Sequence, residues 1–265
     1  MSGELAESVI DVGGTGVVAL AGGSGRPLLM LHDELGFPGW MGWNRDLAGG
    51  RRFLVPLQPG FGRTPRVPWF RSVRDVGSFY ARMVRERGLG PVDVVGFSAG
   101  AWIAAEMAAS DPALVGRLVL VAPLGIRPEQ GEIFDFLAVT MRRHVAATVS
   151  NQDAEEYRDI YGGEISPGQF ELFEAARAET SRLAWEPFMF DPTLPHRLAG
   201  AAGLRALIIW GEEDKIAPRG CAEAYERAIA SSRLEVIPGA GHRPEIEDRR
   251  RFVKAVSEFL ETPSA

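Results

Sequence analysis

The pentapeptide Gly96-Phe97-Ser98-Ala99-Gly100 sets a serine between two glycines, after an apolar run and before the small-residue stretch Ala99-Gly-Ala-Trp-Ile-Ala-Ala. A strand that enters a helix through such a sharp turn has no room for bulk two residues either side of its apex, and the apical hydroxyl projects from the carboxyl end of the strand, where ligand crevices form. In a chain with 31 glycines the pattern alone is a weak signal, and the strand before it and helix after it are what strengthen it. The chemistry it suggests is nucleophilic attack. A hydroxyl is a poor nucleophile unless a base takes its proton, and the base must itself be held in place. The chain has four histidines. His144, in "RRHVAA", reads as helix surface, and His196 also falls in a helical stretch. His242, in "VIPGAGHRPE", follows an apolar strand and a Gly-rich turn, at the same edge as Ser98. Glu212, Glu213 and Asp214 follow the strand "ALIIWG" at that edge. One of them can orient the imidazole; Asp214 is the candidate and the two glutamates are expected to face solvent, although local chemistry alone leaves the choice open.

Positioning these groups requires a sheet. "ESVIDV" and "GVVALA" are strand-like and join through "GGTG"; "GGSGRP" then turns the chain into "LLMLH". These glycines read as hairpin turns, since no Gly-Lys-Ser/Thr follows to form a phosphate loop. "RFLVPL" (52–57), "PVDVVGF" (91–97), "RLVLVAPL" (117–124), "LRALIIWG" (204–211) and "RLEVIPG" (233–239) are further strands. Helical patterns separate most of them. One begins at Ser72, with Asp75 as capping-box partner and Val76, Phe79, Tyr80, Met83 and Val84 on its apolar face. In the last helix Phe252, Val253, Val256, Phe259 and Leu260 share a face. Apolar strands alternating with helices predict an α/β fold, a mostly parallel central sheet flanked by helices. Residues 125–202 carry loosely spaced large apolar side chains in helical pattern and read as an inserted helical cap, with 1–124 and 203–265 forming the core.

The bulk composition narrows the function. At 46% hydrophobic and 24% charged, the 265-residue chain can bury a sizeable core. A net charge of −6 argues against nucleic-acid or anionic-membrane partners, and the arginines at 249–251, set among acids, are expected on the solvated side of a helix. The single cysteine, Cys221, can form no internal disulfide and reads as a small packed residue. "MSGELAESVI" lacks the basic-then-apolar pattern of a signal peptide, and no apolar run is long enough to span a bilayer, so the expectation is a cytoplasmic protein acting on a small molecule.

"LLMLHDE", "PGFGRT", "GFSAG", "GEEDKIAP" and "PGAGHRPEIE" follow one another in the order found in the α/β-hydrolase superfamily, which the chain resembles over nearly its whole length outside the cap. The resemblance selects Asp214 and implies the nucleophile–acid–base order Ser98, Asp214, His242. It also implies an oxyanion hole made by the backbone N–H groups of Glu34 and Ala99, with Asp33 standing where relatives usually have Gly. A carboxylate aimed at a forming oxyanion would oppose catalysis, so the side chains of Asp33 and Glu34 are expected to turn toward solvent or a nearby Arg; the sharper alternative is that Glu34 enters the pocket to bind a polar or cationic group, and in another register "GFPG" (36–39) would line the hole. Gln58 replaces a residue that is often Asp or His in relatives, and Arg243, after His242, is expected to pair with a surface acid rather than to neutralise a substrate carboxylate. A serine at the elbow implies hydrolysis through an acyl-enzyme, with no metal or cofactor. The expected substrate is a small to medium apolar carboxylic ester, lactone or thioester, with Trp69, Phe70, Trp185, Phe188 and Phe190 as pocket candidates. Carbon–carbon bond hydrolysis and perhydrolysis use the same triad, and a ligand receptor with little turnover is the alternative from another class.

Overall fold

Gly13 and Gly14, both at positive φ, fold β1 (Ala6–Val12) back on β2 (Thr15–Gly23) as an antiparallel hairpin. The computed structural model describes residues 5–161 and 166–262. After β3 (Arg26–Leu31) comes a short helix, α1 (Gly42–Leu47), that periodicity did not suggest. Its first turn is held by the Asn44 side chain, which accepts from the Met41 N–H at 3.0 Å, and by Trp43, whose buried ring packs among Phe53, Phe97 and Phe252. β4 (Arg51–Pro56), α2 (Val73–Glu86), β5 (Val92–Phe97), α3 (Ala99–Ser110) and β6 (Val115–Val121) follow. α2 starts where expected: Ser72 is the N-cap, and the Asp75 carboxylate accepts from the Ser72 N–H at 3.0 Å. The five residues of its expected apolar face are all buried.

With β7 (Arg205–Gly211) and β8 (Ser231–Ile237), the eight strands order as β1-β2-β4-β3-β5-β6-β7-β8, antiparallel at β1–β2 and β2–β4 and parallel from there on. Alternation along β3 explains the two layers of core. Leu29 and Leu31 face the cluster built with α2 and α3, whereas Leu28 and Met30 face Trp43, Phe252 and Phe259 on the other side. Between β6 and β7 (Arg205–Gly211) lie α4 (Met141–Ala147), α5 (Glu155–Tyr161), α6 (Pro167–Ala184) and α7 (Leu194–Ala199). The only strand-like pairing in this segment, among the described residues, is an isolated bridge between Gly125 and Phe190. α8 (Gly220–Ala228), β8 (Ser231–Ile237), α9 (Pro244–Glu247) and α10 (Arg249–Glu261) complete the chain.

Arg249, Arg250 and Arg251 are exposed, as their setting among acids suggested. Cys221 is packed inside α8, where burial pushes its thiol up to about 12 and keeps it protonated. Among the described residues no helix is long and apolar enough to cross a membrane.

Candidate active site

The parallel register brings Leu31 of β3 opposite Gly96 of β5, so His32 and Ser98 leave the sheet side by side at its carboxyl edge. Ser98 sits at φ 49°, ψ −115°, a conformation that costs an L-residue about 1–3 kcal/mol and persists only where surroundings enforce it. The enforcement is visible. The Ser98 N–H donates to the Val121 carbonyl at 2.9 Å, and its own carbonyl accepts from Ala101 and Trp102 as α3 begins. A Cβ on Gly100 would stand 2.2 Å from the His32 carbonyl oxygen, and one on Gly96 would stand 2.5 Å from the Gly100 carbonyl oxygen, so both elbow glycines are required by close approach.

The loops after β7 and β8 bring the other two members to the serine. His242 Nε2 lies 2.8 Å from Ser98 Oγ, and its Nδ1 lies 2.7 Å from Asp214 Oδ2. The second oxygen of Asp214 accepts from the Ile216 and Ala217 N–H groups at 2.7 and 3.0 Å, which fixes the carboxylate. Glu212 and Glu213 are exposed. The His242 loop is tied down through Glu247, whose carboxylate accepts from the N–H groups of Gly241, Ser150 and Asn151. Burial by itself would lower the basicity of His242. Attraction to Asp214 and the hydrogen bond to it, with Glu34 and Glu245 behind, outweigh burial and leave the imidazole above its ordinary value.

His32 organises the opposite side. Burial lowers it to about 4, so it is neutral at physiological pH. Its Nε2 accepts from the Gln58 N–H at 3.0 Å; the ring proton therefore sits on Nδ1, which donates to the Asp33 carbonyl at 2.9 Å. The Gln58 amide donates in turn to the His32 carbonyl at 2.6 Å. Asp33 turns back on its own loop, accepting from the Leu35 N–H at 2.9 Å.

Here the structure departs from expectation in four respects. Asp33 and Glu34 do not reach solvent: they are 6% and 1% exposed. Asp33 does meet an arginine, Arg243 at 3.2 Å, but that arginine is buried, not a surface partner, and is also held by Glu245 at 2.9 Å and the Tyr161 hydroxyl at 2.5 Å. Burial pushes Asp33 up to about 7, with Arg243 opposing that rise and Glu34 and Glu245 adding to it. Glu34 enters the site. Its Oε1 is 3.1 Å from His144 Nε2, and burial would raise its pKa, but hydrogen bonding and attraction to His144, with His242 and the Ser98 hydroxyl contributing, hold it below the ordinary carboxylate range. His144 itself is fully buried in α4, not on the helix surface, and its ring stacks on Phe136 at 4.4 Å. Its place on the buried face was legible, because Met141, His144 and Val145 fall at i, i+3 and i+4. Tyr161 and Phe136 carried no comparable sequence signal.

The aromatic candidates scatter. Phe70 is core, packed on Phe79 at 5.3 Å, whereas Trp69 and Trp185 are 56% and 57% exposed. Phe190 lies under Arg127, and Phe188 lies between Phe136 at 6.4 Å and Trp185 at 6.0 Å.

The chain belongs to the alpha/beta hydrolase family, whose model matches residues 28–255. It is 31% identical to 2-hydroxymuconate semialdehyde hydrolase of Pseudomonas sp. (strain CF600), over 90% of this chain and 88% of that one. It is 26% identical to 2-hydroxy-6-oxo-2,4-heptadienoate hydrolase of Pseudomonas putida, over 90% of both. Among solved structures, 2-hydroxy-6-oxo-6-phenylhexa-2,4-dienoate hydrolase of Rhodococcus sp. strain RHA1 superposes with a TM-score of 0.81 at 16% identity, covering 98% of this chain and 100% of that one, which shows the shared fold.

Proposed function

We propose that this hydrolase cleaves a carboxylic ester (or the related lactone or thioester) through an acyl-enzyme on Ser98. The observation that carries the reading is the unbroken hydrogen-bonded chain from Ser98 through His242 to Asp214. Ser98 Oγ attacks the carbonyl while His242 Nε2 takes its proton; Asp214 holds the other ring nitrogen and stabilises the imidazolium. The N–H groups of Glu34 and Ala99 receive the oxyanion, on a loop that His32, Gln58 and Asp33 keep in one conformation. His242 then protonates the leaving group, and a water activated by the same imidazole releases the acid and restores Ser98. Residues 125–202 act as a lid: α4 and α5 deliver His144 and Tyr161 to the site, and Ser98 and His242 are only 3% and 4% exposed.

The relatives' names favour a second reading, hydrolysis of a carbon–carbon bond next to a carbonyl, with the same triad. Against it stands charge: the dienoates in those names are carboxylates, whereas here an ionised Glu34 neighbours Ser98 and Arg243 is already engaged by Asp33 and Glu245.

The test is steady-state turnover of p-nitrophenyl esters from acetate to octanoate, with Ser98→Ala alongside, and of 2-hydroxymuconate semialdehyde. Repeated ester turnover, lost in the variant, supports the first reading. Faster cleavage of the semialdehyde than of any ester supports the second. A protein that stops after one cycle is a receptor rather than an enzyme.

A further inference from the structure

We propose that Glu34 determines specificity: its carboxylate receives a primary ammonium carried by the acyl group, next to the carbonyl that Ser98 attacks. The inference rests on the serine-hydrolase reading and adds a substrate class to it. Three observations carry it. First, Glu34 has a second oxygen, Oε2, that is buried and makes no hydrogen bond within the protein, and His144 Nδ1 is in the same state. A buried acceptor without a donor is costly, and a site that tolerates one is suited to a ligand that supplies the donor. Second, the pair is rigid. Oε1 is bonded to His144 Nε2 at 3.1 Å, and Phe136 stacks on that imidazole nearly parallel, at 14°. An ammonium carries three donors and can give one to Oε2, the oxygen that His144 leaves free. Third, the neighbouring charges leave the role open for a cation from outside. Asp33 and Glu245 both engage Arg243, at 3.2 and 2.9 Å, and Asp214 engages His242.

The position gives the ammonium a catalytic consequence. An ionised carboxylate beside Ser98 opposes negative charge growing on the carbonyl oxygen, so with an uncharged acyl group Glu34 works against the transition state. A bound ammonium cancels that opposition. The preference therefore falls on kcat as well as KM, because the compensation is worth most where the oxyanion is fullest. A substrate carboxylate in the same place adds a second negative charge and is rejected.

The experiment compares three p-nitrophenyl esters of similar shape, 3-aminopropanoyl, butanoyl and succinyl, each corrected for spontaneous hydrolysis, on wild type and Glu34→Gln. Expected is a preference in kcat/KM for the ammonium ester over butanoyl of about ten- to a hundredfold, with succinyl lowest, the size of a charged hydrogen bond. In Glu34→Gln the ratio of ammonium to butanoyl ester falls to near one; the readout is this ratio, whatever the variant's absolute rate. Equal wild-type rates on the ammonium and butanoyl esters overturn the inference, as does a preference that survives Glu34→Gln. The wild-type order decides by itself if the variant does not fold. Fluorophosphonate labelling of Ser98 separates the two levels: a labelled serine with no ammonium preference leaves the hydrolase reading standing and removes this one. No turnover and no labelling remove both.

Discussion

Two polar networks meet at the carboxyl edge of the sheet, and they are built differently. In the first, Ser98, His242 and Asp214, every side-chain polar atom has a partner, down to the two backbone N–H groups on Asp214 Oδ1. In the second, Asp33, Glu34, His144, Arg243 and Glu245, three buried atoms have none: Glu34 Oε2, His144 Nδ1 and Glu245 Oε2. A satisfied network is locked and performs one proton transfer. A partly satisfied one stores an unmet demand for hydrogen bonds, which a bound molecule can meet. The difference also follows the chain: the first network is made by loops leaving the sheet, whereas the second is completed from the helical segment by His144 and Tyr161.

Breaking the first network should have the largest effect. Ser98→Ala is expected to lower kcat by about 10⁴- to 10⁶-fold, and Asp214→Asn, which frees the imidazole to take the wrong tautomer, by about 10⁴-fold, both measured on whichever ester turns over fastest. Breaking the second should show in stability first. Arg243→Ala leaves Asp33 and Glu245 buried without their cation and is expected to destabilise the fold by about 3–5 kcal/mol in urea unfolding.

The coupling between the networks is visible in pH dependence. His242 must be neutral to act as base, and its pKa stands above the ordinary value, so kcat/KM should fall as pH drops through a point above 6.5. Glu34 is one of the charges that raise it, so in Glu34→Gln the acid limb should move to lower pH. An unmoved limb would show that the two networks do not communicate. The smallest effect belongs to a residue in neither: Trp185, 57% exposed, should change stability by no more than about 0.5 kcal/mol when replaced by Ala, with unchanged ester chain-length preference.

The fold was legible because its signals are local. Apolar runs, turn glycines and the Ser72–Asp75 cap report on a few neighbouring residues, and those interactions persist in the folded chain. The elbow was legible in part for the same reason: Gly96 meets Gly100 and Ala101 within the turn itself, whereas Gly100 meets Leu31 and His32 at the end of the neighbouring strand. α1 was not, because its stability comes from Trp43 packing on Phe53, Phe97 and Phe252, partners from across the chain.

By itself, then, the sequence determined which residues could form a triad and at which edge they would stand, since strand order and hydrophobic pattern dictate where each loop emerges. Where the charges beside it point was decided only by the tertiary structure. Asp33, Glu34 and Arg243 are polar residues in loops, and polarity alone suggests solvent. They are buried because each finds partners far away along the chain: Glu34 with His144, Asp33 with Arg243, and Arg243 also with Tyr161 in the segment between. Pairing over that range depends on how the helical segment settles on the sheet edge, and no local pattern encodes it.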